Sequence, residues 1–220
     1  MGGGIPAYLQ LMRMKNVLLA SITVPLGAQF ATGDTWATEQ LPEVISQILA
    51  VIFFIGAGNT MNDLKDVEID RDAHPDRPLA SGSITLDNAR RFVYVLWTLS
   101  VTCVLIGAYF LHEDGKSPIE LIAIYATAVT LMTTYDHGPT LKNTGLKGNI
   151  SISIMVGAVI LYGASSVGNL WTPLVWWTAA LVFFANLARE IIKDCQDMEA
   201  DEGNRTTLPM TYGLVKSRML

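Results

Sequence analysis

The chain has 220 residues, half of them hydrophobic and only 16% charged, with a net charge of −5 and a mean hydropathy of +0.35. This composition is too apolar for an ordinary soluble domain and lacks the basic footprint of a nucleic-acid surface. Two cysteines, Cys103 and Cys195, exclude a disulfide framework, and with only three histidines they argue against a zinc or iron–sulfur centre.

Taken in chain order, apolar stretches of membrane-crossing length recur at 14–32, 43–62, 92–111, 118–135, 149–168 and 173–192. The connections between them are short and turn-like, as at 32–34, 112–115 and 168–169. The first stretch is too long for the core of a cleavable secretory signal, and no convincing small-residue cleavage site follows it. The pattern predicts an all-α, polytopic membrane bundle, with 1–220 forming a single integral membrane domain of six spans. With the N-terminus in the cytoplasm, alternation puts all of the 15 Lys and Arg residues except Lys116 on the cytoplasmic side. That asymmetry is the one the positive-inside bias produces. Trp171, Trp176 and Trp177 then read as an interfacial belt at the outer face, and Gly56, Ala57 and Gly58 as small residues that permit close helix packing.

The second stretch ends in Asp63, Asp66 and Asp70, and the sixth in Asp194, Asp197 and Asp201, both spaced D-x-x-D-x-x-x-D. At about 100° per residue, three such positions fall within roughly 60° of one another, so each run is expected to form one carboxylate stripe on a helix. Stacked carboxylates repel unless cations neutralise them, and Mg²⁺ prefers oxygen ligands and bridges to phosphates. The flanks repeat as well. Asn59 or Glu190 stands four residues before each run, and a basic residue, a Pro and a Gly follow it: Arg77, Pro78 and Gly82, or Arg205, Pro209 and Gly213. Two pseudo-repeated halves around a central cavity are therefore expected, their stripes holding Mg²⁺ ions that bridge one diphosphate. Arg71, Arg77, Lys142 and Arg205 are placed to neutralise its remaining oxygens.

A solvated helix end is the simpler account of one such run, and the repetition argues against it. A cation-conducting path would put carboxylates near mid-membrane, whereas these lie at span ends. Glu68 and Glu199 fall off the stripes and are assigned to solvent or to nearby basic residues. Asp136 reads as a polar helix terminus, and Asp72 and Asp76 as loop residues.

The segment NDLKDVEIDR at 62–71, followed by HPDRPLASG at 74–82, resembles the signature and loop of the UbiA superfamily of intramembrane prenyltransferases. Within that superfamily, YLQLMRMKN at 8–16, LKNTGLKGN at 141–149 and REIIKD at 189–194 are most similar to the archaeal digeranylgeranylglyceryl phosphate synthases. The resemblance implies Mg²⁺-dependent transfer of a geranylgeranyl group from geranylgeranyl diphosphate to the hydroxyl of geranylgeranylglyceryl phosphate, in archaeal ether-lipid synthesis. An aromatic acceptor such as 4-hydroxybenzoate is the alternative, and a noncatalytic lipid-binding membrane protein the minor one. The implied metal-binding and catalytic residues are Asp63, Asp66, Asp70, Asp194, Asp197 and Asp201. The implied substrate contacts are Asn16, Asn59, Asn62, Arg71, Arg77, Lys142, Glu190, Lys193 and Arg205. Arg13 also stands at a matching position, and Asn149 is expected to line the cavity or cap its helix. An isoprenyl diphosphate, a lipid acceptor and membrane lipids are the expected partners. Superfamily members usually have more spans than the six read here, so the domain reads as C-terminally incomplete.

Overall fold

The computed structural model describes residues 4–33, 40–136, 141, 144–198 and 206–217. Lys142, Glu199, Asp201 and Arg205 lie outside the described residues, as does the side chain of Asp136. Helices α1 (Ile5–Met12) and α2 (Met14–Thr32) meet at Arg13, and α3 (Leu41–Lys65) and α4 (Val67–Ala73) meet at Asp66. The long helices α5 (Leu86–Glu113), α6 (Ile119–Asp136), α7 (Leu146–Ser165) and α8 (Pro173–Gln196) follow, then the short α9 (Leu208–Tyr212) and α10 (Leu214–Ser217). Among the described residues there is no strand, only an isolated bridge between Thr144 and Thr206.

Local chemistry accounts for the helix starts. Pro stands in the first turn of α1, α3 and α8, where a missing N–H costs no hydrogen bond. The Thr85 hydroxyl accepts from the Asn88 N–H at 3.3 Å and caps α5. Gly82, at φ +74°, turns the chain between α4 and α5.

Each of the six expected spans is a helix. Four of them, α3, α5, α7 and α8, are long and apolar enough to cross a membrane. The apolar part of α6, Ile119–Tyr135, is shorter. Seventeen residues rise only about 25 Å against about 30 Å of hydrocarbon. Helix α2 has the length but carries Lys15, Asn16, Ser21, Thr23 and Gln29, which lower its apolarity. Leu181, Phe184 and Trp177 on α8 stand largely exposed, as befits a helix whose outer face meets lipid.

The bundle is built from two helix pairs, α3 on α5 and α7 on α8, with α2 packed against both α3 and α7. Lipid is as apolar as a leucine, so such helices are joined by close van der Waals approach rather than by hydrophobic burial. At the α2–α7 crossing, a Cβ on Gly27 would collide with the Ile160 carbonyl, and one on Gly163 with the Val24 carbonyl. Gly56 and Gly58 have the packing role expected of them, since a Cβ at either would meet a Met Cε, of Met12 or Met132 respectively, at 2.5 Å. The crossing also fixes direction. Val24 and Gly27 lie against Ile160 to Ala164, and the Thr172 hydroxyl after α7 donates to the Ala31 carbonyl near the end of α2 at 3.1 Å. Helices α2 and α7 are therefore parallel, and their N-terminal ends share one end of the bundle.

Candidate functional site

The described aspartates of both acidic runs come to that shared end. The guanidinium of Arg13, at the start of α2, sits 2.6 Å from Asp63 Oδ1 at the end of α3. Asn149, in the first turns of α7, donates from Nδ2 to Asp194 Oδ2 at 2.8 Å, which seats the end of α8 beside it.

The runs do not lie on uninterrupted helices. Asp66 ends α3 at φ −93°, ψ 9°, and Asp197 ends α8 at φ −91°, ψ 6°. The Asp66 N–H bonds the Asn62 carbonyl at 3.0 Å, and the Asp197 N–H bonds the Lys193 carbonyl at 2.9 Å. The second aspartate of each run is thus a helix C-cap with nearly the same backbone conformation. This corrects the expectation of a single helical stripe and strengthens that of two related halves. The likeness extends to local geometry as well as spacing.

Asp63 and Asp70 still come together, because the loop after α4 folds back over them. Leu79 and Ile84 of that loop bury against Leu11 of α1, Val67 of α4 and Ala89 of α5. With the loop pinned, Arg77 Nη1 lies 2.7 Å from both carboxylate oxygens of Asp70 and 3.9 Å from Asp63 Oδ1. Asp63 and Asp70 are 3% and 5% exposed, so their charges must be offset by neighbours. Two guanidiniums, those of Arg13 and Arg77, do this. Arg13 pays in backbone strain, at φ 57°, ψ 53°; among the described residues no other non-glycine has positive φ.

Other expected residues are placed differently. Arg71 turns outward to Glu68 at 2.8 Å, so Glu68 does find the basic neighbour expected of it while Arg71 stands away from the buried carboxylates. Asn59 donates to the Met12 carbonyl at 2.8 Å, bracing the α1–α2 junction. Glu190 pairs with its neighbour Arg189. Lys193 shares a shallow hollow with Arg189, Ile192 and Gln196 on α8. Asn62 contributes its carbonyl to the Asp66 cap, and the Asn16 side chain is exposed near the start of α2.

Two features of the site were not read from the sequence: the direct Arg13–Asp63 pair and the polar seam between α7 and α8. In the seam, Asn186 Nδ2 donates to Ser153 Oγ at 3.1 Å, and that hydroxyl donates to the Asn149 carbonyl at 2.6 Å. Its signal was present in the i, i+4 spacing of Asn149 and Ser153 and in the eight-residue step from Asn186 to Asp194, which put these residues on facing stripes.

Among the described residues, no three His, Cys, Asp or Glu side chains gather as a metal-binding group. The donor chemistry nonetheless suits a hard divalent cation. Buried carboxylate oxygens of Asp63 and Asp70 lie at one end of the bundle, and the guanidiniums of Arg13 and Arg77 balance them.

Comparison with known proteins settles the class. Residues 20–220 match the UbiA prenyltransferase family. The chain belongs to this family. It is 33% identical to the digeranylgeranylglyceryl phosphate synthase of Methanosarcina mazei over 231 residues, covering 100% of the chain and 75% of that protein. It is 30% identical to that of Methanococcus aeolicus over 210 residues, covering 95% of the chain and 69% of that protein. Among solved structures, one of a digeranylgeranylglyceryl phosphate synthase superposes with TM-score 0.78 at 28% identity, over 97% of this chain and 70% of the other. A UbiA homolog from Archaeoglobus fulgidus bound to GPP and Mg²⁺ superposes with TM-score 0.73 at 20% identity, over 96% of this chain and 71% of that one, which is a likeness of fold. As a UbiA family member, the chain is a helical membrane prenyltransferase.

Proposed function

We propose that the chain transfers a geranylgeranyl group from geranylgeranyl diphosphate to the free hydroxyl of geranylgeranylglyceryl phosphate. The observation that carries this reading is the pair of buried aspartates, Asp63 and Asp70, held with Arg13 and Arg77 at the bundle end that also receives Asp194. A site of this kind balances a dense negative charge at the mouth of an apolar bundle, which is what an isoprenyl diphosphate presents. The relatives named for the same synthesis, at 30–33% identity, supply the acceptor.

In the reaction the C1–O bond to diphosphate breaks to leave an allylic cation, and the acceptor hydroxyl oxygen then bonds its C1. The electron pair leaves with the diphosphate, and the hydroxyl proton passes to an oxygen of that leaving diphosphate. Arg13 and Arg77 are placed to turn from the carboxylates to the departing diphosphate oxygens and stabilise the charge developing there. Asn149 holds Asp194 by a hydrogen bond, and the caps put Asp66 and Asp197 at the ends of α3 and α8. The apolar helices around the site exclude water, which would otherwise intercept an allylic cation. A divalent cation, Mg²⁺ in this reading, would be held by Asp63, Asp66, Asp70, Asp194, Asp197 and Asp201, and would neutralise the leaving diphosphate. The site is assigned to the cytoplasmic face of the cell membrane, the side to which the Lys and Arg distribution points.

The test is to incubate the purified chain in detergent with labelled geranylgeranyl diphosphate, geranylgeranylglyceryl phosphate and Mg²⁺. A diether phosphate that disappears with EDTA and with Asp66→Ala supports the proposal. Product formed only from an aromatic acceptor overturns the choice of acceptor, and labelled donor returned unchanged with every acceptor overturns the activity.

A further inference from the structure

Away from the carboxylates, α1, α3 and α5 enclose an open groove of about 560 Å³, within the size range of sites that hold one small ligand. Tyr8, Leu9, Phe53, Val95 and Leu99 make it apolar along most of its length, and Arg91 stands at one end. That end lies near the start of α5, on the side of the bundle that carries Asp63 and Asp70. From Arg91 to Leu99 the groove follows α5 for about 12 Å.

The charge at its mouth is unbalanced. Arg90 is paired with Asp87 at 3.1 Å, whereas Arg91 makes no ion pair or hydrogen bond among the described residues. A guanidinium at a helix end, above an apolar groove open to the bilayer, is matched by a lipid with a phosphate headgroup and a hydrocarbon chain. We propose that the groove holds one anionic lipid of the surrounding leaflet, its phosphate on Arg91 and one chain along Val95 and Leu99.

The occupant is a resident lipid rather than a reacting one. Met12 forms the inner wall of the groove with its side chain seated over Gly56, and the next residue, Arg13, points the other way onto Asp63. A lipid in the groove therefore rests against the back of α1, whose Tyr8 packs edge-on against Phe92 of α5 at 4.8 Å. It seats α1 on the bundle and thereby steadies the junction from which Arg13 reaches the carboxylate.

Native mass spectrometry of the detergent-solubilised chain, titrated with phosphatidylglycerol and with phosphatidylcholine of the same chain length, tests this. One site is expected to prefer phosphatidylglycerol about five-fold, the effect of one basic residue at an anionic surface. Arg91→Gln should abolish the preference, while Arg91→Lys and Arg90→Gln retain it. A phosphatidylglycerol carrying a diazirine on its chain should label the peptide containing Val95 and Leu99. Equal affinity for the two lipids, a preference that survives Arg91→Gln, one lost equally in Arg90→Gln, or labelling confined to other helices overturns the proposal. Circular dichroism of each variant shows that it is folded, and Arg91→Lys supports the assignment through charge even if Arg91→Gln folds poorly.

Discussion

Arg13 Nη2 lies 2.6 Å from Asp63 Oδ1 and joins the start of α2 to the end of α3 across 50 residues of sequence. The Asp63 side chain is 4% exposed and that of Arg13 34%, so the pair falls between the surface and buried limits. Among the described residues, Arg13→Gln leaves the carboxylate with only Arg77, 3.9 Å away, as a cationic partner. The expected loss is about 2 kcal/mol, seen as a lower melting temperature in detergent. Arg13→Gly removes the same charge but also the left-handed strain, and should be about 1 kcal/mol more stable than Arg13→Gln. If the two variants melt together, the backbone strain is not a real cost.

Asp63→Asn and Asp194→Asn keep the size of the side chain and remove its charge. Each is expected to lower turnover by about 10²-fold or more. The two halves of the site then depend on each other, and the double variant should be little worse than either single one. Single-turnover measurements with labelled donor give the comparison, and additive losses would show that the two runs act independently.

Asn149 orients Asp194 through one hydrogen bond. Removing such a support usually costs 10- to 100-fold in metal affinity or activity. Asn149→Leu should therefore raise the Mg²⁺ concentration needed for half-maximal rate while leaving the rate at saturating Mg²⁺ closer to normal. An unchanged Mg²⁺ dependence would leave Asn149 with a packing role alone.

Deep in the bundle, the Tyr162 hydroxyl bonds Gln47 Oε1, and both residues are buried. Gln47→Leu strands the hydroxyl, and Tyr162→Phe strands the amide oxygen, while Gln47 Nε2 still donates to Ser46 Oγ. Each should cost about 1–3 kcal/mol, whereas removing both partners together approaches neutrality. A double-mutant cycle on thermal unfolding reads the coupling, and additive losses would refute it.

Gly27 and Gly163 let α2 and α7 touch backbone to backbone. Gly27→Ala is expected to destabilise by about 1–3 kcal/mol through overpacking. Gly4→Ala, at an exposed helix start where, among the described residues, a Cβ meets only Pro6 Cδ at 3.5 Å, should be nearly silent. Melting curves of the two variants make the contrast.

The sequence alone determined the helices, the all-α membrane class and the placing of an acidic run at the end of the second and sixth apolar stretches. These are properties of local periodicity and composition, which act within one helix. Asp63 and Asp70 were singled out by spacing, and the structure buries both. The tertiary structure decided which cations meet them. Arg77 and Arg71 are equally basic and only six residues apart, yet the hydrophobic seat of Leu79 and Ile84 brings Arg77 inward, while Arg71 follows the helix outward to Glu68. The breaks at Asp66 and Asp197 replaced the expected stripe because backbone capping interrupts the helix that the spacing assumed. Arg13 reaches Asp63 through the packing of α1 on α3, where Met12 seats over Gly56, and Asn149 reaches Asp194 through the approach of α7 to α8, where Gly157 lies against the Ala179 carbonyl. No periodicity within a single helix encodes the azimuth at which two helices meet.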